Sequence, residues 1–318
     1  MSELPPFLLY FAAAALLAVT RGLPRQLILL ATPLVTGLYL WLGIHPGTDV
    51  AYTLMSYELM VVRADKLSLL FSYLFCIASF FAGIFSLHVK DTKQHIAGAV
   101  YAGSALGAVF SGDLITLFIF WELLAISSVF LIWARGTERA LKAGMRYLVY
   151  QVLSGVLLLA GALVYYHKTG SLAFDHIGLD AGVAGWLIFI AFGIKSAFPF
   201  LHSWLTDGYP EATVTGTVLL SAFTTKVAVY SLARGFAGEE ILIYIGVTMA
   251  CFPIFYAVIE NDLRRVLAYS LINQVGFMVT GIGIGTALAL NGAVAHAFSD
   301  VIFKGLLFMS MGAVLYRV

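Results

Sequence analysis

Charge is what this sequence has least of. Only 11% of its 318 residues are charged, while 61% are hydrophobic. A soluble domain carries about 25% charged residues, so this chain cannot cover a water-facing surface and reads as a polytopic membrane protein. The net charge is +1 and no Lys/Arg tract is present, which excludes a nucleic-acid partner. Cysteine is scarcer still. Cys76 and Cys251 lie in apolar stretches and no C-x-x-C occurs, so packed, inert thiols are expected. Nucleophile elbows, zinc motifs and phosphate loops are missing, which makes a membrane enzyme the weakest function class; no metal or cofactor is expected. The N-terminal run MSELPPFLLYFAAAALLAV lacks a basic n-region and is expected to stay as a first helix.

What is present is a series of long apolar runs. Eleven candidate helices cover 5–20, 25–43, 66–88, 95–111, 113–134, 143–166, 182–203, 213–235, 240–259, 265–285 and 287–315. Each approaches the length that crosses a bilayer, and none shows the alternation of a membrane barrel. The fold class is therefore an all-α bundle of about eleven transmembrane helices. Fifteen Lys/Arg fall in loops: eleven, from Arg21 to Arg317, on one side, and Arg63, Lys66, Lys168 and Arg234 on the other. The positive-inside rule puts the larger group in the cytoplasm, with the N-terminus outside and the C-terminus inside. The longest loop, 44–65, carries no recognised motif, and 134–146 reads as a basic turn that sets topology.

Six ionisable residues interrupt the spans: Glu122, Lys195, Lys226, His296, Asp300 and Lys304. A charge at the centre of a membrane helix costs roughly 2.5–3.5 kcal/mol by insertion scales, so such residues pair, face the bundle interior or line water. Glu122 is expected to pair with Lys195 or Lys226. A mobile pair of this kind can gate a proton; a static pair is the structural alternative. Pro199 follows Lys195 by four residues and should free the Lys195 carbonyl, so lysine and helix break coincide, as in helices that line wet cavities. Lys226 lies among Thr213, Thr215, Thr217, Ser221, Thr224 and Thr225, hydroxyls suited to water or to neighbouring helices; snorkelling to an interface is the alternative. His296, Asp300 and Lys304 are spaced i, i+4, i+8, a column that drifts ~80° and climbs ~12 Å. It suits stepwise proton hopping; one pinning ion pair or a metal site are the alternatives. His202, Asp207 and Glu211 follow the break as a possible inlet, or as solvated loop charges.

The segments FWELL (120–124), GIKSAFPFLHSWLTDGYPEA (193–212), TTKVAVYSLAR (224–234), NDLRRVLAYSLINQVGFM (261–278) and AHAFSDVIFKGLLFM (295–309) resemble the proton-translocating antiporter-like family. That family includes the D component of Mrp-type Na⁺/H⁺ antiporters and membrane-arm subunits of complex I and membrane-bound hydrogenases. The resemblance implies fourteen helices with two inverted five-helix repeats, each a half-channel around a broken helix. It divides this chain into N-terminal helices (1–93), one complete repeat (94–236) and part of a second (237–318). It also implies that Glu122, Lys195, Lys226, His296 and Lys304 carry the proton. Three positions depart from the family pattern: Thr206 and Thr213 stand where prolines are common, and Asp300 where a second histidine is common, a change that favours cation binding. Helices twelve to fourteen have no counterpart, as in a split subunit, a truncated chain or a degenerate paralogue.

The resulting expectation is a proton-translocating subunit in the inner membrane of a prokaryotic cell, part of a multi-subunit Mrp-type antiporter, with Na⁺ as the candidate exchanged ion. Its partners are other membrane subunits, one of which supplies the remaining helices if the subunit is split. A subunit of a redox-driven pump, and a structural or assembly subunit with a relic channel, are the other readings.

Overall fold

A computed structural model describes residues 4–54 and 57–317. The helices are α1 (Phe7–Val19), α2 (Leu23–Gly43), α3 (Lys66–Phe85), α4 (Thr92–Phe110), α5 (Leu114–Trp133), α6 (Glu138–Thr169) and α7 (Val183–Lys195). After them come α8 (Ser203–Gly208), α9 (Val214–Ala222), α10 (Thr224–Gly235), α11 (Ile241–Ile259), α12 (Leu263–Ile284) and α13 (Ala287–Leu315). Among the described residues, eight spans are long and apolar enough to cross a membrane, counting α9–α10 as one; α1 and α7 are shorter apolar helices. All eleven expected spans are present as helices, and two of them are interrupted.

Caps set many of the starts. Asp65 accepts from the Ser68 amide, and Ser68 returns a bond to the Asp65 amide, a reciprocal capping box. Asp113, Thr137, Thr213, Asp262 and Thr286 each cap their helix through a side-chain oxygen, which satisfies amides that have no intrahelical partner. α6 begins at Glu138, earlier than the apolar pattern indicated, and ends at Gly170 with φ 72°, the left-handed stop that glycine permits.

The 44–65 segment is more than a loop. Asp49–Leu54 (β1) and Tyr57–Arg63 (β2) pair as an antiparallel hairpin with a bulge at Val50/Ala51. Its Met60 carbonyl accepts from the Gly112 amide, and the Gly112 carbonyl accepts from the Phe174 amide. A side chain at Gly112 would run into Met60. Ion pairs Arg63–Asp175 at 2.8 Å and Arg234–Asp65 at 2.6 Å tie the same end of the bundle together. At the opposite end, Arg25 donates to the Lys90 carbonyl and Arg135 to the Pro210 carbonyl. The loops that charge counting placed on a common side thus gather at a common end.

The core sits on α4, α5 and α9–α10; every residue from Thr224 to Leu232 is buried. Where apolar side chains face lipid, helices associate through small residues and hydrogen bonds. α11 and α12 do this closely: a Cβ on Gly276 would lie 2.5 Å from the Ala250 nitrogen, and Asn273 donates to the Ala250 carbonyl at 2.6 Å. Cys76 is buried as expected, whereas Cys251 is exposed on the outer face of α11.

Candidate functional site: buried charges on two interrupted helices

The first interruption follows Lys195, the last residue of α7. Proline is not what ends the helix. The Phe198 amide reaches the Gly193 carbonyl and the Ala197 amide the Ile194 carbonyl, a Schellman closure with Ala197 at φ 61°. Phe200 is also left-handed, at φ 68°. A non-glycine residue pays roughly 1–2 kcal/mol for that conformation. Pro199 lies between the two and keeps the chain from re-entering the helix. The expected capture of a freed Lys195 carbonyl is not what forms: Trp204 Nε1 donates to the Ile194 carbonyl at 2.9 Å, which also accepts from the Ala197 amide.

Lys195 is fully buried. Its ammonium donates to the Trp121 carbonyl at 2.6 Å and stands 4.5 Å from the centre of the Trp121 ring. Glu122 is the next residue on α5, but it makes no ion pair within 4 Å among the described residues, with either lysine. Its Oε1 is buried without a hydrogen-bond partner among those residues. Gly155 of α6 makes room for it, because a Cβ there would collide with Oε1. The expected Glu122–Lys195 contact is therefore an adjacency around Trp121 and not a closed salt bridge.

The second interruption was not legible in the pattern. The 213–235 span breaks at Phe223, where φ is −108° and ψ −62°. The Thr224 amide donates to the Tyr101 hydroxyl at 3.0 Å, and the Leu220 carbonyl accepts from the Tyr209 hydroxyl at 2.8 Å. Two tyrosines thus take over the two ends of one missing helical bond. Thr224 Oγ1 is 2.6 Å from the Tyr101 hydroxyl. Other span hydroxyls also reach across: Thr213 and Thr215 donate to Gln94 Oε1 at 2.8 and 3.3 Å.

Three residues beyond the break, Lys226 meets Asp300 of α13 at 2.6 Å, with both side chains fully buried. The ammonium also lies 3.4 Å from the Ser221 carbonyl and from Thr225 Oγ1. Burying a pair costs desolvation that only good geometry offsets, and here the second carboxylate oxygen, Oδ1, has no hydrogen-bond partner among the described residues. Lys304, one turn along α13, donates to Ser270 of α12. His296, one turn the other way, is half-buried with Nε2 unpartnered and packs edge-on to Phe277 at 5.9 Å. The column is thus present, with Asp300 turned to Lys226, Lys304 to a hydroxyl, and His296 uncommitted.

The residues past the first break divide. Glu211 is held by Arg135 at 2.9 Å and Arg139 at 3.1 Å, and Asp207 by Arg146 at 3.3 Å. Both acids are thus neutralised by the basic 134–146 segment. The His202 ring lies tilted against Phe252 at 4.9 Å, with Nδ1 buried and unpartnered among the described residues.

These features define a class: a helical membrane bundle whose buried charges sit at helix interruptions and pair across the core. Residues 111–318 match the family described as "NADH:quinone oxidoreductase/Mrp antiporter, TM", and the chain belongs to it. It is 33% identical to the D component of the Na(+)/H(+) antiporter of Alkalihalophilus pseudofirmus over 228 residues, which cover 65% of this chain and 46% of that protein. It is 26% identical to hydrogenase-4 component B of Escherichia coli, covering 81% of this chain and 44% of that one. In the Mrp complex from Dietzia sp. DQ12-45-1b, one chain superposes with a TM-score of 0.89 at 27% identity, over 98% of this chain and 37% of the other. The chain thus spans just under half the length of these two curated relatives.

Proposed function

We propose that this chain is a proton-translocating subunit of a multi-subunit Mrp-type cation/proton antiporter, with Na⁺ as the exchanged cation. The observation that carries the reading is the Lys226–Asp300 pair: two opposite charges, fully buried, joining α10 to α13. Membrane proteins keep such charges where ions pass. Protons move from Glu122 and Lys195 to Lys226 and on to the His296–Lys304 column, with His202 at the inlet; Asp207 and Glu211 act there by holding the basic segment in place. The likenesses to the Na(+)/H(+) antiporter component and to the Mrp complex support this assembly, with other membrane subunits as partners. The end bearing most loop cations faces the cytoplasm, which puts the N-terminus outside.

A second reading, a subunit of a redox-driven proton pump, draws support from the hydrogenase-4 component B likeness, which covers 81% of this chain. The test is proton and Na⁺ flux in inverted vesicles carrying the chain with its native partners. Lys195→Ala and Glu122→Ala are expected to abolish flux without loss of the protein. Unchanged flux removes both readings; proton flux driven by a redox substrate and indifferent to Na⁺ selects the second.

A further inference from the structure

Among the described residues no hydrogen bond joins Lys195 and Lys226; each is committed elsewhere, to Trp121 and to Asp300. A proton passing between them needs an intermediate. α6 lies beside α5 and the α7–α8 segment, and its contacts fix the register. Gly155 faces Glu122. Ser154 accepts from Trp121 and donates to the Ala191 carbonyl at 2.6 Å. Tyr150 accepts from Ser203 at 2.9 Å, and Tyr147 packs on Trp204 at 5.5 Å. Gln151 therefore stands between the levels of Ala191 and Ser203, beside the end of α7 where Lys195 and Ser196 lie.

Gln151 is fully buried, and neither its Oε1 nor its Nε2 has a hydrogen-bond partner among the described residues. Ser196 Oγ, also fully buried, has none among them either. A buried polar group left unmet is costly. A cluster with both donors and acceptors is where proteins hold water. One turn along α6, the Tyr147 hydroxyl is 2.7 Å from Ser128 Oγ and lies beside Thr224. Thr224 adjoins Thr225, whose Oγ1 is 3.4 Å from the Lys226 ammonium.

We propose that Gln151 and Tyr147 form the proton link between Lys195 and Lys226, with Gln151 holding water against Ser196 and Tyr147 handing the proton on to the threonine hydroxyls. The inference rests on the proton-translocating reading. In the step, the Lys195 ammonium gives a proton to the held water and becomes a neutral amine. That water protonates the Tyr147 oxygen as the Tyr147 O–H proton moves to Thr224. The hydroxyls pass a proton to the Lys226 amine, which exists once Lys226 has given its own proton to Asp300. Gln151 is a positioning residue in this scheme, since it holds the water and exchanges no proton.

The test uses the same vesicles, in H₂O and D₂O. Tyr147→Phe keeps the ring on Trp204 and removes only the hydroxyl. Gln151→Leu keeps the bulk, and Gln151→Glu restores a water-holding group. The expected result is that Tyr147→Phe and Gln151→Leu each slow proton flux by about tenfold or more, with a larger solvent isotope effect and unchanged amounts of protein, and that Gln151→Glu recovers flux. Wild-type flux in Tyr147→Phe and Gln151→Leu, with Lys195→Ala inactive, overturns the link and leaves the transport reading standing. An unchanged isotope effect, or no recovery in Gln151→Glu, makes these residues packing elements and equally overturns it. Wild-type flux in Lys195→Ala removes the transport reading, and the link falls with it.

Discussion

Lys226 and Asp300 approach to 2.6 Å across the core, from α10 and α13, with neither side chain open to its surroundings. Removing one partner strands the other. Asp300→Ala is expected to cost about 3–5 kcal/mol, read as a lower unfolding temperature of the purified protein in detergent. Lys226→Met combined with Asp300→Leu should recover most of that stability and none of the transport. Equal stability of the single and double variants would show that the pair is not closed.

Gly155 decides where the Glu122 carboxylate can stand. A methyl group there occupies the position of Oε1, so Gly155→Ala is expected to displace the carboxylate from the Trp121–Lys195 corner. Overpacking of this kind costs about 1–3 kcal/mol. Proton flux should fall more than protein abundance does. Flux in proportion to abundance would make Gly155 a packing residue only.

The tyrosines at the second break should be needed for stability. Tyr101→Phe leaves the buried Thr224 amide without its acceptor, at a cost of about 1–3 kcal/mol. Hydrogen exchange at Thr224 is the direct readout: faster exchange is expected, and an unaltered rate would mean that the helix simply closes.

At the end bearing the hairpin, Asp65 predicts a pH dependence. Burial raises its carboxyl pKa, but the Ser68 amide and Arg234 outweigh burial and hold it below the ordinary value. A depressed folded pKa stabilises above the unfolded value, about 3.9, and that contribution fades as the pH falls through the lower folded value. Asp65→Asn keeps a capping side chain and loses the charge facing Arg234. It should therefore lower the unfolding temperature at pH 7, with the deficit closing below about pH 4. A constant deficit across that range would assign the effect to the cap alone.

Much of the site is legible in the sequence, because membrane burial makes charge conspicuous. Lys195, Lys226 and Asp300 are visible by cost alone, and their helices by continuous apolar runs. What sequence could not supply is who meets whom. Lys195 goes to a backbone carbonyl, which no side-chain pattern announces. Asp300 faces Lys226 and not its own column, since the partner depends on how α13 docks. The hairpin is hidden because its strands sit in a short, mixed segment. Gln151 is inconspicuous as one uncharged polar residue in a long helix; its significance comes from the absence of partners around it.

The Phe223 interruption has no cause within its own segment: 214–234 contains no proline, and its single glycine, Gly216, lies a full turn and more upstream. The opening is held by hydroxyls lent from α4 and from the turn after α8. Cut out as a peptide and placed in micelles, this stretch should wind into one unbroken rod. The geometry that aims Lys226 at Asp300 is thus written in its neighbours, and it comes into being only when the bundle is assembled.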